Sequence, residues 1–249
     1  MTHDLLVIGG GAGGMAAART AARLGKRVAL VQDGPVGGDC TFTGCVPSKT
    51  LIEAADADLS FEQALARVRD TVARIAATET ADVLRGEGVD VVEGRARLTG
   101  PGSLTVNGGA LRAPKLVLAL GAAPMVPDIP GLRDGRYLTN ETVWELAVRP
   151  ASLTVLGGGA IGCELAQTFA RFGTKVTVVE AADRLLTKEE PAAGAVVADA
   201  LTRDGVRVLT GSTVTGVTHP DGHLVRVMLA DGATVDSEAL LVAVGRSPA

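Results

Sequence analysis

Aromatic residues are scarce in this 249-residue chain, with one Trp, one Tyr and four Phe making 2% of the total. Since 47% of the residues are apolar, the core must rest on Ala, Val, Leu and Ile. Histidine is as sparse: only His3, His219 and His223 occur, too few ligands for a zinc centre. No run reaches the roughly 18 apolar residues of a membrane span, and the apolar N-terminus has no charged leader region. The formal charge of −4 gives no electrostatic reason to expect nucleic acid or an anionic membrane as a partner. The chain therefore reads as soluble and cytoplasmic. In that compartment a close cysteine pair is more often catalytic or metal-binding than a structural staple.

Glycine, by contrast, is abundant, at 32 residues. It punctuates an internal repeat. DLLVIGGGAGGMAAARTAARLGKRVALVQ, residues 4 to 32, resembles SLTVLGGGAIGCELAQTFARFGTKVTVVE, residues 152 to 180. Each has an apolar run, a glycine-rich turn, an Ala-rich helical stretch, a glycine and a second apolar run, the order of a βαβ unit. The expected fold class is α/β, with two Rossmann-like three-layer dinucleotide-binding domains at 1–147 and 148–249. Between the repeats, SFEQALARVRDTVARIAATETADVLR reads as helical. Its stripe of Phe61, Leu65, Val68, Val72 and Ile75 suits packing on the parent domain. Residues 89 to 118 read as a β-meander inserted in the first domain, and strand-like runs lie near 206–209, 224–229 and 239–244.

The glycine spacing is that of a phosphate-binding loop, twice. Gly9, Gly11 and Gly14 follow a strand and open a helix, as do Gly157, Gly159 and Gly162. The first glycine permits the turn, the second admits a pyrophosphate to the backbone, and the third lets helix pack on strand. The helix N-terminus then offers free N–H groups to the phosphates. Glu180 ends the second strand of the second repeat, where a carboxylate accepts both ribose hydroxyls. A 2′-phosphate there would meet a repulsion of about 4 kcal/mol at roughly 4 Å and an effective dielectric of about 20. NAD(H) is thus expected over NADP(H), with Arg184 near enough to complicate the choice. The first repeat has Gln32 and then Asp33 at this position, a weaker ribose partner.

The stretch GGDCTFTGCVPSK, residues 37 to 49, places Cys40 and Cys45 with four residues between them. Pro47 suits a first helical position, so Cys45 falls just before a helix N-terminus, where a thiolate is stabilised. Five residues along a regular helix separate Cα atoms by about 8.7 Å, beyond the roughly 4.4–6.8 Å that a disulfide spans. The pair can close only across an irregular turn at Gly44. Two unpaired structural thiols are the alternative. The third cysteine, Cys163, reads as inert packing on the second repeat's helix.

GGDCTFTGCVPSK resembles the active-site motif of the pyridine nucleotide–disulfide oxidoreductases, the family of mercuric reductases and dihydrolipoamide dehydrogenases. LVLALGAAPMVPDIPG, residues 116 to 131, and AVGRSPA, residues 243 to 249, resemble that family's later segments, so the likeness runs the length of the chain. The resemblance implies an enzyme passing electrons from NAD(P)H through FAD to a Cys40–Cys45 disulfide, and then to a disulfide or metal-ion substrate. Cys40 would be the interchange thiol and Cys45 the thiol beside the flavin. Lys49 would pair with Glu164, both buried, clamping the two domains together. FAD would lie along Gly9, Gly11, Gly14, Gln32, Asp33, Gly38, Asp39, Lys49, Ala96 and Gly121. NAD(H) would lie along Gly157, Gly159, Ile161, Gly162, Glu180, Val214 and Gly245.

The sequence departs from the family pattern in places. Asp39 and Phe42 replace the commoner Thr and Asn, and an acid beside Cys40 should raise that thiol's pKa. Ala160 stands where a Tyr often gates the nicotinamide pocket. The family's C-terminal dimerisation domain, which supplies a catalytic base to the partner of a homodimer, has no counterpart among these residues. A nucleotide-binding module without turnover and an NADH diaphorase or flavin reductase are the competing readings.

Overall fold

The computed structural model describes residues 3–220 and 222–248; Asp221, in the turn between His219 and His223, and Ala249, ending AVGRSPA, lie outside the described residues. Contacts divide the chain into two compact units. The first comprises Met1–Pro47, Arg69–Ala122 and Pro248–Ala249, the second Ser48–Val68 and Ala123–Ser247. This differs from a single cut at 147/148, for a packing reason. Phe61 stacks against Phe169 and Phe172 with ring centroids 5.6 and 5.4 Å away, so three of the four phenylalanines bind the 48–68 segment to the second unit. Leu132 is fully buried in that unit's core, and Leu138 bridges Leu241.

In the first unit four parallel strands stand in the order Val89–Glu93, Val28–Gln32, Leu5–Ile8, Leu116–Leu118. Alternation along each strand makes three layers. Val7, Val28, Leu30, Val89 and Val91 pack with Met15 and Ala18 of the Ala12–Arg23 helix. Leu6, Ile8, Ala29 and Val31 pack with Leu104, Val106 and Ala113 on the other side. That outer layer is an antiparallel meander of Arg97–Gly100, Ser103–Val106 and Gly109–Arg112. The meander is therefore narrower than residues 89–118, whose first and last runs are parallel strands of the main sheet. The helical stretch is also two helices, Phe61–Ala76 and Ala81–Gly86, because Thr80 caps the second by accepting the Val83 N–H. Phe61, Leu65 and Val68 of the stripe are buried; Val72 and Ile75 are only half-buried.

The second unit repeats the plan. Its parallel order is Arg207–Leu209, Lys175–Val179, Ser152–Leu156, Ala239–Val242. Helices Ala160–Arg171 and Pro191–Arg203 follow its first two strands. It too carries an antiparallel meander, of Val214–Thr218, Val225–Leu229 and Thr234–Ser237, so this insertion is not confined to the first unit. Leu156, Val179, Leu240 and Val242 bury against Val217, Val227 and Val235 of that layer. Both repeat helices end alike. Gly25 and Gly173 take φ of +73° and +85°, a left-handed cap with no steric cost to glycine. Among the described residues no helix is long and apolar enough to cross a membrane.

Neighbouring glycines in the first loop have opposite tolerances. A Cβ on Gly14 would land on the Gly9 carbonyl oxygen, whereas one on Gly13, exposed in the same helix, meets nothing within 4 Å. Gly13→Ala is expected to raise stability by roughly 0.5–1 kcal/mol, and Gly14→Ala to lower it by roughly 1–3 kcal/mol. Urea unfolding of the two variants beside the parent checks both signs.

Candidate active site and nucleotide-binding loops

The two glycine loops have nearly the same backbone. Gly9 and Gly157 both stand at φ +103°, and the helices then begin at Gly11 (φ −77°, ψ −175°) and Gly159 (φ −77°, ψ −178°). Gly14 and Gly162 are demanded by packing, since a Cβ on either would overlap the carbonyl of Gly9 or Gly157. The middle glycines are not. A Cβ on Gly159 meets nothing within 4 Å, and one on Gly11 comes only to 3.8 Å of Gly38 Cα. Neither helix has a side-chain cap at its N-terminus.

A hydrogen bond from the loop to the end of the second strand recurs in both units. Gly10 N–H donates to Gln32 Oε1 at 2.5 Å, and Gly158 N–H donates to Glu180 Oε2 at 2.6 Å. Glu180 Oε1 accepts the Ala182 N–H at 2.8 Å, while the Gln32 amide donates to the carbonyls of Asp33 and Pro35. The carbonyl of each of these glycines, in the next peptide along, is also used. The Gly10 carbonyl accepts the Gly37 N–H, and the Gly158 carbonyl accepts the Leu186 N–H, both at 2.9 Å.

Each loop borders a cavity. In the first unit about 450 Å³ is enclosed by Gly9, Gln32, Asp33 and Ala96, with Arg95 and Leu120. Gly11 caps the adjoining Ala12–Arg23 helix, which holds Gly14 in its first turn, and Gly38 opens the Gly38–Phe42 helix; none of these, nor Asp39 or Gly121, is in that lining. In the second unit about 460 Å³ lies among Gly157, Gly159, Ile161, Glu180 and Gly245. Gly162 packs beneath that loop. Val214 belongs to the meander, half-buried against its core, and does not line the cavity.

The cavity also has a wall that the sequence motifs did not signal: Leu186, Thr187, Lys188 and Glu189. Arg184, half-buried, turns its guanidinium onto this segment, donating to the carbonyls of Leu185, Leu186, Thr187 and Glu189 at 2.9–3.4 Å. Leu186 is left-handed at φ +50°, a conformation costing a non-glycine residue roughly 1–3 kcal/mol.

The cysteine pair straddles a helix break. Cys40 lies on the short helix Gly38–Phe42, Thr43 and Gly44 interrupt, and a second helix runs Cys45–Asp56. Cys45 is thus the first residue of its helix and Pro47 the third, two positions further in than a proline at the first helical position implies. A Cβ on Gly44 would stand 2.9 Å from the Asp39 carbonyl, so glycine is what lets the break close up. Both thiols are free, Cys45 exposed and Cys40 half-buried. That exposure order is the reverse of the roles that the resemblance implies. The Cys40 thiol titrates above its ordinary 9.0. Its hydrogen bond with Cys45 is the first cause, followed by burial and charge on Cys45, with Glu79 acting in the same direction. Asp39, the acid blamed from sequence, is not among these causes. Glu79 instead approaches from the turn after the Phe61–Ala76 helix and accepts the hydroxyl of buried Thr41 at 2.6 Å.

Lys49 Nζ meets Glu164 Oε2 at 2.5 Å, and Ser48 donates to the other carboxylate oxygen. The expectation of a buried pair joining the domains needs correction on both counts. Lys49 is 65% exposed, and both residues lie in the second unit, because the Cys45–Asp56 helix passes into it at Ser48.

Comparison with known proteins accords with this architecture. The pyridine nucleotide-disulphide oxidoreductase family matches residues 3–249. A mercuric reductase of Bacillus cereus is 30% identical across 99% of this chain and 42% of its own length. A dihydrolipoyl dehydrogenase of Acholeplasma laidlawii is 32% identical across 98% of this chain and 78% of its own. Among solved structures, the Cu(II) complex of the HOCl-induced flavoprotein disulfide reductase RclA from Escherichia coli superposes with a TM-score of 0.88 at 32% identity, covering 100% of this chain and 58% of that one. The chain spans about half the length of the mercuric reductases it matches.

Cys163 is buried and donates to the Gly158 carbonyl at 3.3 Å; burial, with Glu180 nearby, pushes its thiol up from 9.0 to about 11. A folded value above the unfolded one leaves this contribution intact below about pH 9 and removes it as pH rises toward 11. Between pH 8 and pH 10 the parent should therefore lose about 1 kcal/mol more stability than Cys163→Ala, measured by urea unfolding at the two pH values.

Proposed function

The chain belongs to the pyridine nucleotide-disulphide oxidoreductase family, and on that premise we propose that it binds FAD in the first unit and NADH in the second. The observation that carries the reading is the cysteine pair, two free thiols brought together across the break at Gly44, near enough that Cys45 raises the Cys40 pKa. The fit of the nucleotides rests on the middle glycines. Nothing in the protein needs Gly11 or Gly159 to lack a side chain, and both face uncapped helix N-termini, the surroundings that suit a pyrophosphate. Gly9, Gln32, Asp33 and Ala96 would hold FAD, with Gly11, Gly14 and Gly38 at its phosphates; Asp39, Lys49 and Gly121 remain further candidates. Gly157, Gly159, Ile161, Glu180 and Gly245 would hold NADH, with Gly162 keeping the loop close; Val214 has less to support it.

Bound FAD would supply two-electron transfer from the hydride of NADH to a disulfide. In the whole reaction NADH and a proton reduce the Cys40–Cys45 disulfide to two thiols, which return to the disulfide by reducing a disulfide or metal-ion substrate. The half-buried Cys40, with Glu79 nearby and tied to its neighbour Thr41, would be the interchange thiol, and Cys45 at its helix start the thiol that remains with the cofactor. Glu164 would fix Lys49, with Ser48 holding the second carboxylate oxygen, so that a positive charge stands ready at a set place. Anaerobic thiol counting tests the reading. NADH added to the FAD-loaded, oxidised chain should release two thiols per chain, and none in Cys40→Ser. Flavin bleaching with no gain of thiols in the parent would replace the proposal with a diaphorase.

Preference for NADH is supported by Glu180 in the cavity and by Arg184, whose guanidinium is spent on backbone carbonyls. Glu180→Gln keeps an acceptor for the Gly158 N–H, as Gln32 does for Gly10, while removing the charge. It should reduce the NADH-over-NADPH affinity ratio about tenfold, as measured by titration; an unchanged ratio would assign the selectivity elsewhere.

A further inference from the structure

The wall opposite Glu180 is held in a way that neither glycine motif accounts for. In the first unit the contact to the loop carbonyl is made by Gly37, at φ +127°, where a side chain would crowd Phe42 and Glu79. In the second unit the same contact is made by Leu186, in a left-handed conformation that glycine would adopt without strain. Leucine at such a position carries a strain that glycine would not, and Leu186 lines the nucleotide cavity as well as the neighbouring space beside Cys163 and Glu164. Leu185 anchors the segment from below: it is fully buried, and its side chain fills the space over Gly158 that a Cβ there would need. Arg184 completes the hold from outside, reaching the four carbonyls of Leu185, Leu186, Thr187 and Glu189.

We propose that Arg184 is a positioning residue for the nicotinamide-nucleotide site, holding the 185–189 strap over Gly158 so that the Leu186 side chain forms a wall of the cavity. This rests on the reading of that cavity as the NADH site. The guanidinium touches no part of the cavity lining's loop glycines; it acts by fixing the one turn whose backbone would otherwise relax away from φ +50°. Lysine cannot replace it, because a single ammonium lacks the planar fork that reaches several carbonyls at once.

NADH titration of the full chain, followed by fluorescence of its single tryptophan, Trp144, tests the hold and the wall separately. Arg184→Ala should raise the Kd for NADH about tenfold, equivalent to about 1.4 kcal/mol, and Arg184→Lys should raise it about threefold by the same fork argument. Leu186→Gly keeps the turn but deletes the wall, so its Kd should rise about fivefold from lost apolar contact, with the melting temperature maintained. A purely structural leucine would give the opposite pattern, a shifted melting temperature with unchanged affinity. A Kd within about twofold of the parent's in Arg184→Ala, or in Arg184→Lys where the alanine variant does not fold, overturns the role of Arg184. The same result in Leu186→Gly overturns the wall. No NADH binding by the parent overturns the nucleotide-site reading itself and the strap with it, an outcome distinct from both.

Discussion

One residue in each unit governs the site, the glycine between the strand and the helix, whose two flanking peptides are both held. Its N–H is bound by the side chain ending the second strand, Gln32 or Glu180, and its carbonyl by a residue with positive φ, Gly37 or Leu186. Held from both sides, the turn cannot slide, and the following amides stay uncapped at the helix start. The first and third glycines of each motif are consequences of this tight turn, since their Cβ atoms would strike backbone. Only the middle glycine is left for a ligand to justify.

The repeat shows the same anchor point put to different uses. In the first unit Gly37 opens directly into the Gly38–Phe42 helix, so the thiol-bearing segment hangs from the phosphate loop by the Gly37–Gly10 bond and the Gly11–Gly37 bridge. In the second, the equivalent residue opens into the strap and then the Pro191–Arg203 helix. The free thiols of the first unit and the cavity strap of the second therefore occupy corresponding places on one architecture. Glycine is compulsory at the first, since Gly37 stands at φ +127° and a Cβ on it would come to 2.9 Å of the Phe42 ring and 3.0 Å of Thr41 Cβ. The second has room for a side chain.

Much of this was legible in the residues. The βαβ repeat, the two glycine loops and the closeness of Cys40 to Cys45 all depend on local spacing, and local spacing is what a sequence displays. Of the second meander the sequence displays only the run near 224–229; Val214–Thr218 is broken by Gly216, and Thr234–Ser237 has a single apolar residue, Val235, so neither shows alternation. Glu79 and Arg184 were out of reach for another reason. Each acts across a turn whose direction decides the contact: Glu79 bonds Thr41, 38 residues earlier, and Arg184 curls back on its own following carbonyls instead of reaching for a phosphate. Lys49 was misjudged because a charge pair does not imply burial; the helix presents it at the surface while Glu164 is the more enclosed partner.

The choice between Gln32 and Glu180 shows how one position couples structure to charge. Either side chain can accept the loop N–H, so the turn is indifferent to which is present. The surroundings are not. Glu180 brings a negative charge close enough to add to the burial that raises the Cys163 thiol, and that thiol donates to the carbonyl of Gly158, the residue whose N–H Glu180 accepts. A neutral thiol is the form that can donate this bond, so the carboxylate and the cysteine reinforce each other around Gly158. In the first unit the neutral amide of Gln32 spends its own N–H groups on Asp33 and Pro35, stiffening the chain just before Gly37 and the cysteine segment. The charged end thus lies at the cavity of the second unit, and the neutral, doubly tethered end leads into the thiols of the first.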